Sequence, residues 1–198
     1  FAHVIATDAS AEQLAQAPRY RNIAWRMAPA EESGLADASV DAVTVAQAFH
    51  WFDLPRFWNE VRRVVRPGGL VVAWSYGMPF TDDARIAGQL QQFHDVTVGP
   101  YWPKERGHVD AGYRSLDFPF ERLEPPPVEL RAPWPLDPLL GYLGTWSAVR
   151  RYITARDEDP VAPFAGRLQP AWGAVRVVRW PMVVLAGRGA SHAPLQAP

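Results

Sequence analysis

The residues from Ser39 to Trp74, SVDAVTVAQAFHWFDLPRFWNEVRRVVRPGGLVVAW, constrain the fold of this chain more than any other stretch. Val40–Ala46 is β-branched and apolar on both faces, as an interior parallel strand requires. Pro55 suits the first turn of a following helix, in which Phe57, Val61, Val64 and Val65 form an apolar stripe while Glu60, Arg62 and Arg63 face outward. Pro67-Gly68-Gly69 ends that helix, and Leu70–Trp74 reads as a second buried strand. The result is one strand–helix–strand unit with a right-handed crossover. Its loop, Gln47-Ala48-Phe49-His50-Trp51-Phe52, lies beyond the carboxyl end of the first strand, where open α/β sheets bind their ligands.

The rest of the chain extends this pattern and then leaves it. Residues 2–7 read as a buried strand ending at Asp8, and Ser10 with Gln13 three residues on predicts a capped helix running to Pro18. Asn22–Met27 is a second strand. Strands alternating with helices predict an α/β fold with a doubly wound, mostly parallel sheet. After Pro79, Asp82–Val96 reads as a helix with Ile86, Leu90 and Phe93 on one face. The run GPYWPKERGHVDAGYRSLDFPF is irregular, and irregular segments of that length are functional or disordered. Val128–Trp134 reads as a strand, Leu136–Tyr152 as one helix, and residues 161–173 as a short helix. Val175–Ala186 reads as one last strand, with Pro181 at a bulge or edge. The expected organisation is a partial α/β core over 1–78, a lid or substrate region over 79–127, carboxyl-terminal helices and strands over 128–187, and a disordered tail over 188–198.

Composition removes several function classes. The 198 residues carry 20 basic and 21 acidic side chains, with no charge block to suggest nucleic acid or an anionic membrane as partner. No apolar run approaches the ~18 residues of a membrane span, so a cytoplasmic location is the default expectation. The absence of cysteine excludes disulfides and thiolate zinc sites, and the histidines lack ligand-like spacing, so no metal is expected. No P-loop, G-x-S-x-G or G-x-G-x-x-G is present. Nine tryptophans and twenty prolines are many, and aromatic-rich loops more often line a pocket or lid than fill a regular core. The chain begins at Phe1 and is almost at once in a strand, which reads as a fragment of a longer architecture.

Each candidate residue has a plain structural reading beside the functional one. Asp8 either starts a helix or accepts hydrogen bonds from a ribose; beside the downstream strand–helix–strand unit the ribose role is favoured. Ala30-Glu31 is a solvated acidic turn or the neighbour of an adenine, and taken alone the turn wins. Gln47, His50 and Trp51 follow a strand: His50 suits general-base work and Trp51 could face a ligand cation. The alternative, in which they pack the loop through Phe52 and Trp58, stands level. His94 reads as structural. Tyr101, Trp102, Arg106, His108 and Tyr113 form either a lid or ordinary surface packing, with Arg106 or Arg114 able to pair a carboxylate. Trp102, Arg106, Tyr113 and Trp146 together suggest a part-aromatic, part-cationic pocket for a small acid.

The runs VIATDAS, APAEESGLADASVDAVTVAQAFHWFD and FWNEVRRVVRPGGLVVAW, in this order, resemble class I S-adenosylmethionine-dependent methyltransferases. The likeness is to the type 11 domains typified by trans-aconitate methyltransferase. It is specific over residues 4–76 and looser beyond them. It implies a sheet of order 3-2-1-4-5-7-6 with strand 7 antiparallel, in which Val4–Asp8, Asn22–Met27, Val40–Ala46 and Leu70–Trp74 are strands 2 to 5 and Val128–Trp134 and Val175–Ala186 are strands 6 and 7. It further implies S-adenosylmethionine as cofactor, Asp8 at the ribose diol, Ala9 packed on the adenine, Ala30 and Glu31 beside it, and Gln47 near the methionine moiety. His50, as catalytic base, and Trp51 would face methyl donor and acceptor, and Tyr101, Trp102, Arg106, Tyr113 and Trp146 would touch the acceptor. Strand 1, its helix and its Gly-rich loop have no counterpart here, so the resemblance implies an amino-terminally truncated enzyme with impaired cofactor binding. The expected function is methyl transfer to a small molecule such as a carboxylate, without nucleic-acid or membrane partners. The alternatives are an inactive fragment and an NAD-dependent oxidoreductase, whose ribose Asp8 would suit equally.

Overall fold

The computed structural model describes residues 1–189. In chain order its elements are β1 (Val4–Asp8), α1 (Ala11–Ala15), β2 (Ile23–Met27), β3 (Val40–Ala46), α2 (Leu54–Val64), β4 (Val65–Tyr76), α3 (Ala84–Gln92), α4 (Arg106–Asp110), β5 (Glu121–Leu123), β6 (Leu130–Trp134), α5 (Leu136–Gly144), α6 (Ser147–Arg156), α7 (Val161–Trp172), β7 (Arg176–Trp180) and β8 (Met182–Arg188). The expected tail lies outside the described residues from position 190 on. Two compact units result. The first contains Phe1–Trp74, Asp117–Pro125 and the chain from Val184; the second contains Ser75–Leu116 and Pro126–Val183.

The first unit holds the α/β core. β1 pairs with β2 in parallel, Val4 opposite Ile23 through Asp8 opposite Met27. A second sheet has the order β3-β4-β8-β5, with β3 and β4 parallel and β5 antiparallel to β8. In the numbering of the resemblance these are strands 3 and 2, then 4, 5, 7 and 6. The apolar stripe of α2 is buried through Phe57, Val61 and Val64, as are Val45 of β3 and Val71 of β4. Asp117–Pro125 is held to this unit by Trp58, whose Nε1 donates to the Asp117 carbonyl at 3.2 Å and whose ring meets Phe118 and Phe120 edge-on.

Several sequence expectations are corrected here. The place of strand 6 is taken by Glu121–Leu123, too short to show a period of two, and not by Val128–Trp134. Residues Leu130–Trp134 instead pair with Arg176–Trp180 in a separate antiparallel sheet. Val175–Ala186 is two strands rather than one. Pro181 has no N–H to offer a ladder, and its carbonyl accepts from Gly77 N at 2.9 Å, so the chain changes sheet there. Leu136–Tyr152 is two helices, interrupted where Thr145 Oγ1 donates to the Tyr142 carbonyl at 2.6 Å. The helix before Pro67 stops at Val64, because Val65 pairs with Val40 and the register shifts before Ala42 meets Leu70. Gly68 takes φ 74° in that excursion, and a Cβ on Gly69 would lie 2.8 Å from the Asp41 carbonyl, so the two glycines are required by backbone shape.

The second unit is built on a helical core. Ile86, Leu90, Leu139, Leu143, Leu168 and Trp172 are fully or almost fully buried. α3 runs into a π-helical turn, Phe93–Thr97, which places Phe93 flat against Phe164 at a centroid distance of 4.4 Å.

Candidate active site

Asp8 closes β1, exposed to solvent, and its Oδ1 accepts from Ser10 N at 2.8 Å. Ser10 in turn caps α1 by accepting from Gln13 N at 3.2 Å. The carboxylate therefore both shapes the turn and retains Oδ2 for another donor. Ala9 beside it is exposed, and Ala30 after β2 is half-buried.

Glu31 is not a loose acidic turn. Its Oε1 accepts from Asp53 N at 2.9 Å, which ties the loop after β2 to the loop after β3. Asp53 then caps α2 by accepting from Arg56 N at 3.3 Å. A second tie is Glu60, which the sequence pattern placed on the outward face of α2 but which is only 9 % exposed. Its Oε1 accepts from Ser33 N at 2.8 Å and Ser33 Oγ at 2.5 Å, and Arg63 clasps it while also donating to Asp37 and the Leu35 carbonyl. The correction has a simple cause: Ser33 and Leu35 come from a loop that helical periodicity does not see. Hydrogen bonds from Arg63 and Ser33 outweigh burial and hold the Glu60 carboxyl at about 2, against an ordinary 4.5.

The loop after β3 carries the strain of this site. Gln47 has φ 54°, a left-handed conformation that costs a non-glycine residue on the order of 1 kcal/mol, while its N–H donates to the Trp74 carbonyl at 2.9 Å. Residues Phe49–Trp51 form a 3-10 turn anchored by Phe49, which is fully buried against Trp58 at 5.2 Å and Phe57 at 6.4 Å. Phe52 also packs on Phe57. Phe49 and Phe52 thus pack the loop onto α2, as the packing reading expects. His50 is half-buried against Trp51, and Trp51 is 52 % exposed. Gln47→Val is expected to cost about 2 kcal/mol, because a β-branched residue tolerates φ above zero poorly, whereas Gln47→Asn is expected to stay within about 0.5 kcal/mol. Urea unfolding of both variants checks this; equal stabilities would remove the strain argument.

The second unit gathers most of the remaining candidates. Trp102 donates through Nε1 to the His94 carbonyl at 3.2 Å, and its ring lies 5.0 Å from His94 and 5.3 Å from Trp146. The Arg106 guanidinium sits 5.0 Å over the Trp102 ring, with Nε bonded to Asp110 at 3.1 Å. Tyr113 is wholly buried with φ 57°, and burial raises its phenol pKa. Tyr101 belongs elsewhere: its ring packs on Tyr152 and its hydroxyl accepts from Arg156 at 2.9 Å. His108 bonds Ser115 at 2.9 Å. Tyr142 and Trp180, which the sequence does not single out, lie in the same cluster, with ring centroids 5.6 Å apart. Only the spacing of four between Tyr142 and Trp146 hinted at a shared face.

An α/β core whose strand ends present an exposed carboxylate, a strained polar residue and a half-exposed His–Trp pair has the architecture of a class I methyltransferase, and the comparisons with known proteins agree. Residues 1–73 match the family model described as a methyltransferase domain. A solved structure from Anaeromyxobacter dehalogenans, described as a type II methyltransferase, is 44 % identical with a TM-score of 0.87, over 97 % of this chain and 83 % of that one. A Dictyostelium discoideum protein named as a methyltransferase is 33 % identical over 80 % of this chain and 61 % of its own length. A Mycobacterium tuberculosis protein so named is 47 % identical over 34 % of this chain and 26 % of its own length. The chain belongs to the methyltransferase domain family, and it spans 61 % or less of these two curated relatives. Methyltransferases of this class use S-adenosylmethionine in general. No helix among the described residues is long and apolar enough to cross a membrane.

Proposed function

We propose that this chain serves S-adenosylmethionine-dependent methyl transfer to a small-molecule acceptor. The observation that carries the proposal is the turn after β3. Strained Gln47 leads into a 3-10 turn whose Phe49 anchor leaves His50 half-buried and Trp51 half-exposed, so two reactive-capable rings are presented by a rigid base.

The donor set suits the cofactor. Asp8 keeps an oxygen for the two hydroxyls of a ribose, Ala9 and Ala30 are small enough to lie against an adenine, and Glu31 holds its loop in place through Asp53. When bound, S-adenosylmethionine supplies a sulfonium methyl open to in-line displacement. The chain's own residues then bind, orient and exclude water. The Trp51 face favours a cation, and Gln47 supplies an amide near the same turn. A carboxylate acceptor is already nucleophilic and needs no base. For a hydroxyl or amine acceptor, the His50 imidazole takes the proton.

Isothermal titration is the primary test. S-adenosylhomocysteine is expected to bind more tightly than NAD, and Asp8→Ala to weaken it about tenfold through loss of the ribose bonds. Binding of NAD alone overturns the proposal. Under saturating cofactor, His50→Ala is expected to lower turnover by about 100-fold on a hydroxyl acceptor while leaving cofactor affinity within about twofold. Unchanged turnover would remove the base role and keep the rest.

A further inference from the structure

Within the first unit, the residues assigned to the two halves of the cofactor stand on different ladders. Asp8, Ala9 and Ala30 lie at the ends of β1 and β2, which pair with each other. Gln47, His50 and Trp51 follow β3, which pairs with β4. Residues 28–39 run from one ladder to the other. Side chains fasten this loop to regular elements on both sides. Arg26 of β2 donates to the carbonyls of Ser33 at 3.3 Å and Gly34 at 3.2 Å. On α2, Glu60 accepts from Ser33, and Arg63 donates to the Leu35 carbonyl at 2.7 Å.

Glu31 fastens the loop to something else. Its Oε1 accepts from Asp53 N at 2.9 Å, across 22 positions of sequence. Asp53 follows the 3-10 turn that carries His50 and Trp51, and it is exposed, so its amide proton would exchange freely with water without this bond. Ala30, at the nucleoside end, is the residue before Glu31. One hydrogen bond therefore joins the backbone beside the nucleoside end to the backbone beside the methyl-transfer end.

We propose that Glu31 is a positioning residue that couples the two ends of the cofactor site. Through the Asp53 N–H it sets the place of the His50–Trp51 turn, and a nucleoside lying against Ala30 steadies that turn by ordering Glu31. The coupling is reciprocal: whatever steadies the turn tightens the nucleoside end by the same factor. This gives the Glu31 carboxylate to Asp53 and not to the adenine. The naming of the two ends rests on the methyl-transfer reading above, while the latch between them does not.

The test is amide hydrogen exchange, read residue by residue by NMR on the whole chain, with and without adenosine, which carries the nucleoside but no methionine moiety. Without ligand, the Asp53 amide is expected to exchange about tenfold faster in Glu31→Ala than in wild type. Glu31→Gln, whose Oε1 still accepts, is expected to stay within about twofold of wild type. Saturating adenosine is expected to slow the amides of residues 49–53 about fivefold in wild type and in Glu31→Gln, and by less than about 1.5-fold in Glu31→Ala. A second pair of variants leaves Glu31 in place. Asp53 has φ −71°, and Phe52 has φ −83° and ψ 149°, backbone that a proline and its predecessor accept. Asp53→Pro removes both the N–H and the helix cap, whereas Asp53→Ala removes the cap alone. At residues 49–52 the first should respond to adenosine like Glu31→Ala and the second like wild type. Equal Asp53 exchange in wild type and Glu31→Ala overturns the latch. Equal slowing of the turn by adenosine in those two proteins overturns the coupling. A carboxylate that touched the nucleoside itself would give the reverse pattern, with Glu31→Gln weakening adenosine about tenfold while Asp53 stays protected, and that result also overturns the inference. Failure of both adenosine and S-adenosylhomocysteine to bind wild type sinks the methyl-transfer reading and the coupling with it, whereas the Asp53 exchange rates decide the latch without any ligand.

Discussion

Glu60→Ala is expected to destabilise the first unit by about 2–3 kcal/mol and to weaken S-adenosylhomocysteine binding with it. The carboxylate accepts two bonds from Ser33 and two from Arg63, and it is nearly excluded from water. Breaking a buried ion pair costs about 3–5 kcal/mol, and the value here is reduced because Arg63 is partly exposed and keeps Asp37 as partner. The loop freed by the substitution is the one that carries Glu31 to Asp53. A pH signature separates this from simple loss of packing. The folded carboxyl titrates at about 2 and the unfolded one near 4.5, so the unfolded state binds the proton first. The contribution is present above pH about 4.5 and is lost as pH falls toward about 2. Glu60→Gln therefore removes stability near neutral pH and much less of it near pH 3. Urea unfolding of wild type and Glu60→Gln at both pH values makes the measurement. A difference between them that does not shrink at low pH would show that Glu60 does not act as a charge.

The largest single effect on stability is expected at Phe164. Phe164→Ala should cost the second unit about 4 kcal/mol. The ring is fully buried on α7 and stacks on Phe93 at 4.4 Å and 17°. Removing it leaves a void between α7 and the π-helical turn that precedes His94. Phe164→Leu keeps most of the volume and should cost less than about 1.5 kcal/mol. Because the chain forms two compact units, the alanine variant should separate the urea transition into two, with the second unit melting first. A loss below about 1 kcal/mol for Phe164→Ala would mean that neighbouring side chains collapse into the space.

Legibility in the sequence followed the range of the interactions. The strand–helix–strand unit was readable because its signals are local: the β-branched apolar run that carries the buried Val45, the stripe that buries Phe57 and Val61, and Pro55 and Gly68 at positions where backbone shape requires them. Asp8, Glu31, Gln47 and His50 could be singled out because they follow strands, and strand ends are legible. The downstream elements were less so. Glu121–Leu123 is too short for periodicity, Leu136–Tyr152 has the apolar spacing of one helix although the backbone turns extended at Trp146, and Pro181 divides one apolar run between two sheets.

What the amino-acid order determined by itself was the family, the parallel core and the list of residues that end its strands, since each depends on neighbours a few positions away. What only the tertiary structure decided was how those residues are used. It tied Glu31 to Asp53, buried Glu60 beneath Ser33, and assigned the packing role to Phe49, leaving Trp51 exposed. It also brought Tyr142 and Trp180 together from distant parts of the sequence to join Trp146 and its neighbour Trp102 beneath Arg106. Such contacts are set by the closing of loops and by helix packing, and no period of the sequence records which side chain will lie opposite which.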